Sequence, residues 1–305
     1  MFHYSSIEEL PSNLPCILTL GNFDGVHLGH QYLLRLAWER AMQMKLPLGV
    51  VTFKNHPSEV LRPNHPIHLL SNPEHKQKLL EKQKVDFVLA LPFTEETSKL
   101  SAEAFLSTLH EKLPFRTLIL GFNALLGNDR LGNVPELHRI GKTHNFTVEH
   151  VNPFLIDNAP VSSSRIRAKI QTGELEDVAQ LLGRKYSVYG KVENKTMKEN
   201  ATGYRTASLS MKDVLCPFFG VYAVTITSDD FQCKGVANLG FAPTYRHDHQ
   251  SLLEVLPFHD PIQLQGHWIE VQFDLYLRPE QVFATMDELK QQIAQDIEQA
   301  KRLNP

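Results

Sequence analysis

The chain has 305 residues, 42% of them hydrophobic and 21% charged, the balance of an ordinary globular protein long enough for two domains. A formal charge of −3 provides no global basic field for a nucleic-acid backbone, so small molecules rather than nucleic acid are the expected partners. Three scattered cysteines argue against a disulfide framework or a zinc knuckle, and no apolar run approaches a membrane span. The opening "MFHYSSIEELPSN" has no basic segment followed by an apolar stretch, so no secretory leader and a cytoplasmic location are expected.

The first half alternates short apolar runs with longer amphipathic stretches. The runs are "CILTLG" (16–21), "LPLGVVTF" (46–53), "DFVLALPF" (86–93), "RTLILGF" (116–122) and a weaker "FTVEHV" (146–151). Most are nearly continuous in apolar residues, as strands covered on both faces are. Helix-like segments such as "HQYLLRLAWERAM" and "HKQKLLEKQ" lie between them, so the pattern predicts a parallel, doubly wound α/β sheet. Ligands of such sheets bind beyond the carboxyl ends of the strands.

One such end carries "GNFDGVHLGHQ" (21–31), with His27 and His30 three residues apart. Metal ligation lacks a companion set of ligands at finger or zincin spacing. An ordinary polar turn is the commonest fate of such residues. The third reading is phosphate binding: a glycine-rich turn before a helix presents free N–H groups and a positive dipole end, and imidazoles would add donors. The loop is neither a P-loop nor a G-x-G-x-x-G fingerprint. Further on, "VSSSRIR" (161–167) places three serines and two arginines at a helix start. The serines alone would read as an N-cap. Cations there oppose the helix dipole unless an anion sits between, and Arg165 and Arg167 have the forked geometry that suits phosphate.

After "GRKYSVYGKV" the period changes. "GVYAVTIT" (220–227), "QCKGVANLG" (232–240), "LLEVLPF" (252–258) and "WIEVQFDLYLR" (268–278) read as strands. In the last, Ile269, Val271, Phe273 and Leu275 alternate with Glu270, Gln272, Asp274 and Tyr276, which predicts one buried and one wet face. Thr285 and Glu288 form a capping-box pattern before a helix carrying Leu289, Ile293 and Ile297 on one face. The expected architecture is a domain of residues 1–184 followed by a small β-barrel or sandwich with a C-terminal helix, 185–305.

Four blocks of the first half closely resemble those of bacterial FAD synthetases in the nucleotidylyltransferase superfamily: "GNFDGVHLGHQ", "TFKNHPSEVL" (52–61), "GFNALLGNDRLG" (121–132) and "VSSSRIRAKIQTGELEDVAQLLGRKYSVYGKV" (161–192). "GVYAV", "GVANLGFAPTY", "LLEVLPF" and "YLRPEQVF" resemble riboflavin kinase blocks, so the whole chain is similar to the prokaryotic bifunctional riboflavin kinase/FAD synthetase family.

The resemblance implies transfer of AMP from ATP to FMN, giving FAD and pyrophosphate, with Mg²⁺ as cofactor. It implies that His27 and His30 hold the ATP phosphates. Gly21, Asn22, Phe23, Asp24 and Gly29 would form the surrounding turn. Ser162, Ser163, Arg165 and Arg167 would grip the outer phosphates, with Asn123 near the flavin or nucleotide phosphate. Lys54 and Asn55 replace the family's usual Asp-Pro, yet the Thr-Phe and His-Pro frame predicts that the loop persists. In the second half the resemblance implies phosphorylation of riboflavin by ATP. Glu254 would be the general base, with Thr206, a metal ligand, and Ser208 in the nucleotide motif. That motif departs from the family: Lys195, Met197 and Glu199 stand where glycines are expected, Arg205 replaces Pro and Ser208 replaces Asn. Side chains there obstruct a phosphate cradle, although Lys195 and Lys198 could offset the charge of Glu199. The kinase step is therefore expected to be the weaker one. The alternative is a monofunctional FAD synthetase whose second half is a non-catalytic flavin-binding or oligomer-forming module. The sequence is compatible with an oligomer.

Overall fold

The structure, a computed structural model, describes residues 1–11, 13–65, 67–128, 132–192, 203–241, 251–258 and 264–303. It divides into two compact units, Met1–Leu69 with Lys76–Ser163, and Leu70–His75 with Ser164–Pro305.

The first unit is built on a parallel sheet of β1 (Phe2–Tyr4), β2 (Ile17–Leu20), β3 (Leu48–Phe53), β4 (Phe87–Leu91), β5 (Thr117–Gly121) and β6 (Thr147–Val151), in the order β1-β4-β3-β2-β5-β6. Its helices are α1 (Leu28–Met44), α2 (Pro57–Leu61), α3 (Pro73–Glu81, from Lys76 onward in this unit), α4 (Glu95–Lys99), α5 (Ala102–Lys112) and α6 (Val134–His144). Successive strand residues face opposite ways, and both faces are covered. Leu18, Val51, Leu89 and Leu120 join the helices α5 and α6 in one core, whereas Ile17, Val50, Val88 and Ile119 join α1 and α3 in another. Burial on both sides is why β2 to β5 read as unbroken apolar runs. The chain winds one way from β2 to β3 and the other way to β5. The switch point therefore falls beside β2, and the loop after it opens onto the crevice where such sheets take ligands. A two-stranded hairpin, β7 (Leu155–Ile156) and β8 (Ala159–Pro160), ends the unit.

The second unit contains α7 (Ser163–Gln171, from Ser164 onward), α8 (Leu175–Leu182), β9 (Ser187–Lys191), β10 (Ala207–Ser210), β11 (Gly220–Thr227), β12 (Gln232–Phe241), β13 (Ser251–Pro257), β14 (Trp268–Arg278) and α9 (Met286–Leu303). Its sheet is antiparallel, ordered β10-β13-β12-β11-β14-β9. Gly190 of β9 faces Leu209 of β10, so the two edges approach in a near-barrel. Helix α9 packs Ile297 and Ala300 on Ala223 and Val236, and its Asp296 accepts two hydrogen bonds from Arg278 at 2.8 Å each. Thr285 Oγ1 accepts from Glu288 N–H, while the Glu288 carboxylate accepts from Ala284 N–H, one residue before the expected position.

The alternation expected of β14 holds through Phe273 and then breaks. Register shifts against β11 leave Asp274 and Leu277 without a directly opposite residue, so Leu275 is 39% exposed rather than buried. The opposite face is only partly wet, because its acidic side chains are tied into hydrogen bonds while Tyr276 stays exposed. The Asp274 carboxylate accepts from Lys185, Thr225 and Gln272, and Glu270 accepts from Ser187 Oγ.

Candidate active site

The turn after β2 is unusual in its backbone. Phe23 (φ 49°) and Val26 (φ 38°) both lie in the left-handed region, and Gly25 shares it (φ 74°). A β-branched residue there is strained, and such strain persists only where surrounding structure over-determines it. Phe23 supplies that constraint: its fully buried ring lies 5.1 Å from the ring of His30 and packs on Gly21. The two histidines do not share a helical face. His27 is the extended N-cap of α1, and its Nδ1 accepts the His30 N–H at 3.3 Å. The rings stack, with centroids 3.6 Å apart and 16° between planes. His27 is buried (4% exposed), and His30 Nδ1 is buried with no hydrogen-bond partner. Burial first, then the charges of His27 and Lys76, hold the His30 imidazole well below the usual imidazole range. His30 is thus a neutral ring at pH 7. With Nδ1 of His27 accepting, the proton of a neutral His27 sits on Nε2.

The turn is tied down on several sides. Asn22 O accepts from Thr52 Oγ1 of β3 at 3.2 Å, and Val26 O accepts from the Gln31 side chain at 2.9 Å. The buried Asp24 offers its carbonyl to Ser163 Oγ at 3.1 Å. A Cβ at Gly29 would stand 3.0 Å from Val161 O and 3.1 Å from the His27 ring, so any larger residue would have to push the Val161 backbone or the His27 ring back. The structure therefore brings Gly21, Asn22, Phe23, Asp24, His27, Gly29, His30 and Ser163 into one constellation. Ser162 lies one residue before it. Ser163 spends its hydroxyl on Asp24 O rather than on an N-cap. Arg165 and Arg167 lie on α7 in the second unit, partly buried. Asn123 is exposed in the turn after β5, with Gly121 O accepting the Ala124 N–H at 3.0 Å.

Asn55 explains why the second block survives its substitution. Its side chain accepts the Phe93 N–H at 2.8 Å and donates to Phe93 O at 2.9 Å, joining the loops after β3 and β4. His56 then caps α2, with Glu59 completing a capping box. Sequence reasoning missed Lys76, whose Nζ donates to Phe53 O at 2.6 Å and Asn22 O at 3.3 Å. Its signal was available: Leu79 and Leu80, three and four residues on, share a helical face with it.

In the second unit, Glu254 sits mid-strand in β13, opposite Ser208 on one side and Asn238 on the other. Ser208 is 3% exposed, and Thr206, two residues earlier, is half-buried just before β10. Burial, then the neighbouring charge of Glu280, raises the Glu254 carboxyl above its usual range. Glu280 accepts from Asn238 at 3.3 Å, and a Cβ at Gly240 would run into its carboxylate. Neither Asn238 nor Glu280 was singled out in the sequence. Lys195, Met197, Lys198 and Glu199 lie outside the described residues.

Comparison with known proteins follows the same two-part division. The model of the FAD synthetase family matches residues 10–165, and that of the riboflavin kinase family matches 182–304. A bifunctional riboflavin kinase/FMN adenylyltransferase of Haemophilus influenzae is 35% identical, across 94% of this chain and 93% of its own. The protein of the same description from Escherichia coli K12 is 32% identical, across 92% and 90% respectively. A Streptococcus pneumoniae crystal structure described as a macrolide-efflux protein superposes with a TM-score of 0.82 at 26% identity, covering 99% of this chain and 98% of that one. Among the described residues here, no helix is long and apolar enough to cross a membrane.

Proposed function

The chain belongs to the bacterial bifunctional riboflavin kinase/FMN adenylyltransferase family, and from that membership we propose how its own residues divide the work. The protein is an FAD synthetase: it transfers AMP from ATP to FMN, releasing pyrophosphate. ATP, FMN and riboflavin are its substrates.

In the adenylyl step an FMN phosphate oxygen forms a bond to the α-phosphorus of ATP, and the bond from that phosphorus to the bridging oxygen of pyrophosphate breaks. Both groups arrive ready to react, so alignment and charge stabilisation carry the catalysis. His27 and His30 act as the paired donors to the phosphates. The neutral ring of His30 suits this task, because it donates an N–H without needing a proton from solvent. The free N–H groups at the start of α1 add to the same field. Ser162, Ser163 and Arg165, with Arg167, hold the outer phosphates, and Asn123 orients the flavin or nucleotide phosphate. The observation that carries this reading is the stacked imidazole pair, His27 buried and His30 half-buried, at a strained turn beside the switch point of the sheet. Its test is purified protein with ATP, Mg²⁺ and FMN, followed by flavin separation. His27→Ala or His30→Ala variants that fold and still form FAD at the normal rate overturn it.

In the kinase step Glu254 takes the proton of the ribityl hydroxyl, and Thr206 and Ser208 meet the nucleotide. Mg²⁺ takes hard oxygen ligands and usually reaches a protein through one or two of them together with substrate phosphates. Thr206, Ser208 and Glu254 supply such oxygens, and no group of three or more metal-ligating His, Cys, Asp or Glu side chains occurs among the described residues. This donor set fits an ion carried in with ATP, with Thr206 as its protein ligand. The chemistry Mg²⁺ supplies is neutralisation of triphosphate charge. Kinase turnover is slower than adenylyl transfer because of the substituted glycine positions. Riboflavin turned over as fast as supplied FMN refutes this.

The adenylyltransferase domain runs to residue 184, keeping α7 and α8 with Arg165 and Arg167. A 1–184 fragment that folds by circular dichroism and makes FAD supports the boundary. An unfolded one moves it toward Ser163, where the compact units divide.

A further inference from the structure

Lys76 is a buried cation, 9% exposed, that the transfer as described does not use. A lysine on the apolar side of a helix loses its hydration and needs partners. Its Nζ finds them in two backbone carbonyls, Phe53 O at the last residue of β3 and Asn22 O in the turn after β2. The ammonium therefore joins the carboxyl ends of two adjacent parallel strands directly beneath the histidine turn. Thr52 Oγ1 makes the same connection with a neutral hydrogen bond, so the turn has a charged and an uncharged anchor. The ionisable groups facing Lys76 are Asp24 from the turn, Glu59 from α2 and His30 from α1. The two carboxylates help retain its proton, and its positive charge in turn disfavours a proton on His30.

We propose that Lys76 is a positioning residue for adenylyl transfer, clamping the turn at Asn22 to the end of β3. The inference rests on the reading of His27 and His30 as the phosphate-binding pair. Burial draws the Lys76 ammonium down to about 8, so its charge is lost within a range that assays reach.

The experiment compares full-length wild type with Lys76→Met and Lys76→Gln. FAD formation from FMN, ATP and Mg²⁺ is measured from pH 6 to 9.5, and His30 is titrated by histidine-selective ¹⁵N NMR. Loss of alignment by an ångström costs as much as about 100-fold in rate, so kcat in Lys76→Met should fall about 10- to 100-fold with smaller changes in KM. The wild-type fall in kcat on the alkaline side, near pH 8, should disappear, and the His30 titration should move upward. Lys76→Gln restores one donor to the carbonyls without the charge. It should recover part of kcat with the same flat alkaline profile, and it serves alone if Lys76→Met does not fold. Wild-type kcat in the folded variants overturns the proposal, as does a rate loss with unchanged pH profile and His30 titration, which is the signature of a structural residue only. His30→Ala separates the two levels. If that variant is fully active, the phosphate-binding reading fails. If it is inactive while the Lys76 variants are normal, only the role of Lys76 fails.

Discussion

Both halves of the molecule move an ionisable group toward its neutral form by burial, yet they place it differently and the consequences run in opposite directions. In the α/β unit, His30 sits in the first turn of α1, just after a strained turn beyond a strand end, and burial removes its charge while leaving a donor. In the β unit, Glu254 sits mid-strand between Ser208 and Asn238, and burial beside Glu280 leaves it holding a proton longer than usual. For a donor, neutrality is the working state across the physiological range. For a base, neutrality is the idle state. The same desolvation thus favours the first site at neutral pH and narrows the second from the acid side.

The largest effects should separate the halves completely. Glu254→Gln should lower riboflavin phosphorylation by about 10²–10⁴, the usual contribution of a general base, while FAD formation from supplied FMN is unchanged. Parallel assays with riboflavin and FMN check this, and equal loss in both would merge the two sites. His27→Ala and His30→Ala should each lower FAD formation by about 10²–10³, roughly 3–4 kcal/mol, with FMN binding retained in a fluorescence titration.

Smaller effects sharpen the electrostatic contrast. Glu280→Gln removes the like charge beside Glu254, so the acid limb of riboflavin phosphorylation should move to lower pH with little change at the plateau. An unmoved limb would assign the raised carboxyl to burial alone. His30 bears on stability as well. Its imidazole is depressed in the folded chain, so below the ordinary value of 6.5 the unfolded chain binds a proton that the folded chain does not. Stability should therefore fall as pH drops below about 6.5, by at most about 1.4 kcal/mol per pH unit from this one group. Urea melts at pH 5 to 7 on wild type and His30→Asn measure the difference. A slope identical in the two proteins would show that His30 does not carry it.

Much of the first site was legible because its signals are local. A glycine-rich turn between an apolar run and an amphipathic stretch announces a strand-to-helix junction wherever the strand lies. Four of the five apolar runs became β2 to β5 for the same reason, burial on both faces leaving a one-dimensional trace, while the weaker fifth became the half-buried edge strand β6. β1 left no such trace. Phe2 is 71% exposed, and the strand exists through parallel pairing with β4 more than eighty residues away. The partners of Lys76 and Asn55 were equally hidden. Helical period put Lys76 with Leu79 and Leu80, but the carbonyls that receive its protons come from two other strand ends.

By itself the sequence determined the order and type of most elements, the switch-point turn with its two histidines, and the change from buried parallel to alternating antiparallel strands. These follow from periodicity and turn chemistry within a few residues of each other. Only the tertiary structure decided that His27 caps a helix and stacks on His30, that Asp274 is the buried member of a bulge, and that Glu254 is flanked by Ser208 and Asn238. Each of these depends on register between strands or on desolvation by distant neighbours, and neither quantity is a property of any short stretch of chain.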